Sequence, residues 1–216
     1  MQRGLFLTIE GVDGAGKGTQ LEFVESYLTD SGIDFISLRE PGGTEIGESI
    51  RKILLDKELN EMTAETELLL FNAARAQIVR EKIEPTLAEG AWVICDRFYD
   101  STIAYQVGGR GLNEEQTLEI IRFAVGDLEP DHTIYLDLDV ESAIDRIETR
   151  ADEEKSTEDR MESEDIAFKE RVRNKYLELA QSEERIHLVS AAASIEEVSN
   201  EISNILNSII KSFKEA

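Results

Sequence analysis

A chain of 216 residues is long enough to bury a large core, and its 46 Asp and Glu against 23 Lys and Arg leave a formal net charge of −23. That excess repels nucleic-acid backbones and anionic membrane surfaces, whose binding rests on clustered Lys and Arg, so any anion site has to be a local basic island. No apolar run approaches the roughly 20 residues of a membrane span, and the only cysteine, Cys95, rules out an internal disulfide framework and fits a reducing cytoplasm.

The first element sets the rest. Residues 5–9 are apolar and β-favouring, a glycine-rich turn follows, and residues 19–28 have helical periodicity, which reads as strand, phosphate loop, helix. Gly11, Gly14 and Gly16, with Asp13 and Ala15 between them, let the backbone turn successive N–H groups into one concavity. The next helix adds its unpaired first-turn N–H groups, and Lys17 adds a full charge that reaches β- and γ-phosphate oxygens. The spacing from Gly11 to Lys17 satisfies G-x-x-x-x-G-K, but Gly18 holds the hydroxyl position and Thr19 comes one place later, so the motif's magnesium ligand is not in its usual place and Thr19 is a candidate magnesium or phosphate contact.

Residues 34–38 read as a second strand and lead into REPGGT, residues 39–44, where Pro41 and two glycines demand a sharp turn. Helices are expected over 45–55 and from Thr63 onward, the latter broken near Pro85. The run at 91–97, AWVICDR, suits a strand buried on both faces that ends in an acid and a base. Helical periodicity at 117–125 precedes a strand at 132–137 and a helix at 140–149. Residues 151–159 are polar, charged and aperiodic, and read as a mobile segment. A helix at 167–181, a short strand near 186–189 and an amphipathic helix at 195–213 close the chain.

Strands alternating with helices predict an α/β fold, a five-stranded parallel sheet with helices on both faces, built as one domain over 1–216. Ligands in such sheets bind beyond the C-terminal strand ends, where 11–17, 39–44, 96–97 and 137–139 all fall. Asp96 at a strand end can hold magnesium directly or through water, or serve as a helix cap or as partner to Arg97. Arg97 offers a planar fork for a second phosphate, or a structural ion pair. A ligand held between the phosphate loop and Arg97 would carry two phosphorylated ends, which suggests transfer between nucleotides rather than hydrolysis. A phosphate monoester is largely a dianion at neutral pH and attacks without a general base. His132 and His187 read as structural.

Five segments, GVDGAGKGTQ, REPGGT, LLLFNAARAQ, DRFYDSTIAYQ and RIETR…DRME…RVRNKYLEL, resemble in this order and over nearly the whole chain the thymidylate kinase family. The resemblance implies a P-loop nucleotide-kinase fold with a short lid at about residues 147–161, a homodimer, and phosphoryl transfer from MgATP to dTMP. It implies ATP-phosphate contacts from the loop residues and Lys17, and a role for Asp13 toward the dTMP sugar hydroxyl as well as in the loop. Arg39 and Arg97 would bind the dTMP phosphate, Pro41 would line the base pocket, Phe71 would stack on thymine and Arg75 would reach the base edge. Thr102 would help read the base, Tyr105 would pack under the deoxyribose, and Gln106 would complete that wall. The family supplies a catalytic arginine either after the loop acid or from the lid; here Gly14 follows Asp13, so the lid candidates are Arg146, Arg150 and Arg160. Of these, Arg150 would contact the donor phosphates and Arg160 would contact or support them. The segment 151–159 departs from the family's Arg- and Gly-rich pattern by being acidic. A kinase for another monophosphate would differ at Phe71, Arg75, Thr102 and Tyr105, whereas a GTPase-type switch would need an N-K-x-D loop that the sequence lacks.

Overall fold

The protein is described here by a computed structural model over residues 2–154 and 160–215, with side chains for all of these but 150–154. Five strands form one parallel sheet: β1 (Phe6–Gly11), β2 (Phe35–Arg39), β3 (Trp92–Asp96), β4 (His132–Asp137) and β5 (Ile186–Ser190), in the order β2-β3-β1-β4-β5. Every residue of β1 and the first four of β3 are buried, whereas the edge strand β2 is half-exposed throughout. Burial on both faces is why β3 reads as an apolar run, whereas the buried β1 also carries the polar Thr8 and Glu10.

Nine α-helices surround the sheet among the described residues: α1 (Lys17–Asp30), α2 (Glu45–Leu55), α3 (Ala64–Ile78), α4 (Glu84–Ala88), α5 (Tyr99–Thr102), α6 (Glu114–Val125), α7 (Val140–Glu154), α8 (Ile166–Ser182) and α9 (Ile195–Glu215). Thr44, Thr63, Asn113 and Asp165 cap α2, α3, α6 and α8, each side chain accepting a backbone N–H of the first turn. None of these helices is long and apolar enough to cross a membrane.

Two expectations are corrected. The long helix after Thr63 does not break at Pro85 but widens ahead of it into a π-helical turn, Val79–Ile83, where the Glu84 N–H donates to the Val79 carbonyl five residues back. Pro85 then sits in the first turn of α4, where its missing N–H costs little. The helix begun at Val140 also runs on to Glu154, so residues 151–154 are helical rather than a mobile segment, and 155–159 lie outside the described residues. Ala and Glu are good helix formers, and a solvated helix needs no apolar stripe beyond its packed end. His132 and His187 meet across β4 and β5, ring nitrogen to ring nitrogen at 3.1 Å.

Register puts the polar strand ends on one rim. Arg39 pairs with Asp96, Ile9 with Asp96 and Gly11 with Leu136. The chain leaves β1 toward β2 and leaves β3 toward β4 on the other side, so the crevice lies between the C-terminal ends of β1 and β3.

Candidate active site

The phosphate loop is shaped by close approach. Gly14 has φ +84°, and a Cβ there would stand 2.4 Å from the Ala143 carbonyl oxygen; at Gly11, φ +153°, it would stand 2.8 Å from that of Leu136. Only glycine fits these two places. Gly16 precedes α1 without a side-chain cap, and no acidic residue occupies the first turn of α1, which leaves its N–H groups and positive dipole end for an anion. Lys17 is buried beneath the loop, its Nζ donating to the carbonyls of Gly11 and Val12 at 3.2 Å and standing 3.5 Å from Asp13. Burial and the nearby charge of Arg97 lower its pKa, with Asp13 and Asp96 opposing them.

Arg97 ends the crevice on the other side. Among the described residues it is the one non-glycine with positive φ, 70°, a backbone conformation that persists only where its surroundings hold it. Its Nη2 donates to Asp13 at 2.6 Å and to the Tyr105 hydroxyl at 3.3 Å. Burial alone would raise the Asp13 carboxyl, but Arg97 and Lys17 hold it far below the usual carboxylate range, so it is ionised at any working pH. Asp96 Oδ1 is buried with no hydrogen-bond partner.

Two connected cavities meet at Asp13 and Arg97. One is lined by Pro41, Phe71, Thr102, Tyr105 and Gln106 together with Glu40, Arg51 and Met161. The other is lined by Gly14, Gly16, Lys17, Gly18, Thr19, Arg39, Asp96 and Arg146. It continues past Ala15 and Gln20 to Ser194 and Ile195, beside the loop where Arg146 donates to the Ala191 carbonyl. Arg39, exposed, donates to Glu48 at 3.0 Å and to the Pro41 carbonyl at 3.2 Å.

The structure seats other expected residues differently. Arg75 lines neither cavity; it is 1 % exposed and braces the wall from behind, donating to Glu40, Thr102, Asn72 and the Phe98 carbonyl. Thr102, which could have been a surface threonine, is buried by that bond. Arg160 is not at the phosphate loop: its Nε donates to the Leu54 carbonyl and its Nη1 pairs with Glu67 at 2.7 Å, so the acid of α3 has drawn it behind the cavity lined by Phe71 and Gln106. The same carboxylate takes Arg110 and the amide of Gln106. The Arg150 side chain lies outside the described residues.

Glu40, Arg51, Ser101 and Met161 line the first cavity unforeseen, and behind it Glu10 was missed as well. Glu10 gave no local signal that separates it from the chain's other acids, since β1 also carries the polar Thr8. Glu40 accepts from Arg75 through Oε2 at 2.7 Å while Oε1 is buried without a partner, and burial, only partly offset by Arg75, raises its pKa from 4.5 to about 7. A carboxyl that holds its proton more tightly when folded adds stability below about pH 4.5, and this is lost as pH rises through about 7. Glu40→Gln removes that titration, so between about pH 5 and about pH 8 the stability of the variant relative to the parent should improve by on the order of 2 kcal/mol. Urea melts at the two pH values measure it; a pH-independent difference contradicts the buried, titrating carboxyl.

Residues 9–202 match the sequence model of the family described as thymidylate kinase. The thymidylate kinase of Ruthia magnifica subsp. Calyptogena magnifica is 44 % identical over 207 residues, 95 % of this chain and 98 % of that one. That of Pseudomonas putida is 45 % identical over 209 residues, covering 96 % and 97 %, and that of Chlorobium chlorochromatii 49 % over 183 residues, 82 % of each. A glycine loop with a buried lysine, an arginine facing it across a crevice and an aromatic cavity beyond agree with that likeness along the whole sheet, and the chain belongs to the thymidylate kinase family.

Proposed function

We propose that the protein transfers the γ-phosphoryl group of MgATP to dTMP, giving ADP and dTDP. The observation that carries this reading is the pair of cavities joined at Asp13 and Arg97, one floored by the phosphate loop and the other walled by Phe71 and Pro41. The ATP phosphates lie along the first turn of α1 and Lys17, with Arg146 beside them and the adenosine toward Ser194. The dTMP phosphate lies on Arg97 and Arg39, its base against Phe71 with Thr102 and Gln106 at the edge, and its sugar between Asp13 and Tyr105. A dTMP phosphate oxygen attacks the γ-phosphorus as the bond to the β-phosphate oxygen breaks. The acceptor is already a dianion, so no side chain has to remove a proton. Lys17 and Arg97 neutralise charge on the transferring group and hold donor and acceptor in line.

Magnesium fits this site. Asp96 lines the same cavity as Lys17 and Thr19 and has one buried oxygen without a partner, and a carboxylate with water and phosphate oxygens is a donor set that would suit Mg²⁺. When bound, the ion neutralises phosphate charge; Asp96 would hold it, with Thr19 beside it.

The aromatic contact supplies the test. Phe71→Ala should weaken dTMP binding roughly tenfold to a hundredfold, the loss of one base–aromatic stack, with ATP binding kept. Calorimetric titration with each nucleotide checks it; unchanged dTMP affinity in a folded variant overturns the placement of the base.

A homodimer is also proposed. Phe123 on α6 is 92 % exposed and Leu69 on α3 is 55 % exposed, on two helices that pack against each other, and Ile46 and Ile53 extend the apolar surface along α2. Such a surface suits a two-fold interface between copies of the chain. Phe123→Glu should therefore shift the protein to monomer in sedimentation at micromolar concentration; a variant that sediments as the parent does contradicts this face.

A further inference from the structure

Glu10 closes β1 immediately before the phosphate loop with none of its surface exposed, and phosphoryl transfer as described gives it no part. Four donors surround it. Oε1 accepts from the backbone N–H of Phe98 at 2.7 Å and of Ser101 at 3.3 Å, and Oε2 accepts from the hydroxyls of Ser101 at 2.6 Å and Tyr176 at 2.7 Å. The same two hydroxyls receive Arg97: its Nη1 donates to Ser101 Oγ at 3.1 Å and to Tyr176 Oη at 3.4 Å.

Burial and the charge of Asp100 raise the Glu10 pKa, with Arg97 and the donors from Ser101 and Phe98 opposing them. A hydroxyl carries one proton, and as a carboxylate Glu10 can only accept. The two hydroxyls also stand 2.8 Å apart; with both protons directed to Glu10 rather than to each other, the lone pairs of Ser101 and Tyr176 face the guanidinium. Glu10 thereby sets the polarity of two groups that stand between it and Arg97. The backbone is tied as well, since the Arg97 N–H donates to the carbonyl of Ile9, the residue before Glu10, at 3.0 Å. On its far side the guanidinium is held by Asp13 and Tyr105. A long, rotamer-rich side chain is so fixed before any ligand arrives, which spares the ordering that binding would otherwise require.

We infer that Glu10 is a positioning residue for phosphoryl transfer: through the hydroxyls of Ser101 and Tyr176 it fixes the Arg97 guanidinium where the acceptor phosphate binds, and so sets the preference for a nucleoside monophosphate over its nucleoside. This rests on the assignment of Arg97 to the acceptor phosphate. Glu10→Gln keeps the volume but places an amide NH₂ against either the two backbone N–H groups or the two hydroxyls. In the second arrangement the hydroxyls accept from the amide and turn their protons toward Arg97.

The experiment is calorimetric titration of the full chain with dTMP and, separately, with thymidine. For Glu10→Gln the dissociation constant for dTMP should rise roughly tenfold or more while that for thymidine stays within about twofold. The double variant Ser101→Ala/Tyr176→Phe should lose the preference similarly, and adding Glu10→Gln to it should change little, because the route is already cut. Arg97→Ala is the control. If it keeps the preference for dTMP over thymidine, the assignment of Arg97 fails. If Arg97→Ala loses the preference but Glu10→Gln weakens both ligands equally, or neither, the positioning role is overturned. Should Glu10→Gln not fold, the double variant decides alone, and dTMP binding like that of the parent overturns the inference.

Discussion

Lys17→Ala is expected to keep its fold and to lose on the order of a hundredfold to a thousandfold of its turnover. Among the described residues the ammonium group bonds to the carbonyls of Gly11 and Val12 and stands beside Asp13, and Asp13 has its shorter bond to Arg97. Little of the core depends on Lys17. What does depend on it is charge: Lys17 and Arg97, with Arg39, Arg51 and Arg146 on the same cavity, are the basic island of a chain with a net charge of −23, and a transferring phosphoryl group needs cations on both sides. The comparison is kcat for ADP release alongside the thermal midpoint of the same preparation. A variant that turns over like the parent contradicts the phosphate loop, and one that is inactive because it is unfolded contradicts the claim that the lysine serves chemistry rather than structure.

Glu67→Ala should act oppositely, on stability first. Glu67 is 1 % exposed and binds Arg110 at 2.9 Å, Arg160 at 2.7 Å and the Gln106 amide at 2.8 Å; these hold its pKa below the ordinary value although burial pushes it upward. Removing one member of a buried ionic cluster leaves the other charges desolvated and uncompensated, which costs roughly 3–5 kcal/mol. For a chain of this size the thermal midpoint should fall by on the order of 10 °C. Arg110 retains Glu164 and so softens the loss. A change of a degree or two would mean that water reaches these arginines and that the cluster is a surface feature.

The cluster also shows where sequence reading stops. The strands at the centre of the sheet were legible because burial on both faces favours largely apolar runs, and the loop because Gly11 and Gly14 meet backbone that no Cβ could approach. Lys17 stands out by the glycine-loop spacing, Arg97 by its place after a buried strand and Asp13 by the family resemblance, and the fold brings the three together. Buried charge was not legible. Glu10, Glu40, Glu67 and Asp100 look like any of the 46 acidic residues until the fold places Tyr176, Arg75, Arg110 and Arg185 against them. For the same reason Arg75 and Arg160 could be read as ligand contacts from their motifs, while their side chains are committed to Glu40 and Glu67 across more than thirty and ninety positions of chain. Pairings of that separation leave no local periodicity. The π-helical turn at Val79–Ile83 was equally hidden, since a shift from four to five residues between hydrogen-bonded groups keeps composition and apolar spacing nearly unchanged.

The assay that bears most directly on the function is ADP release with MgATP and a panel of acceptors: dTMP, dUMP, UMP, dCMP, AMP and GMP. Turnover should be strong with dTMP, weak at most with dUMP and absent with the others if, as proposed, the cavity lined by Phe71, Thr102 and Gln106 takes a pyrimidine and Tyr105 lies against its sugar. Turnover with AMP or UMP in preference to dTMP would contradict that pocket, and ADP release unaffected by any acceptor would contradict transfer between two nucleotides.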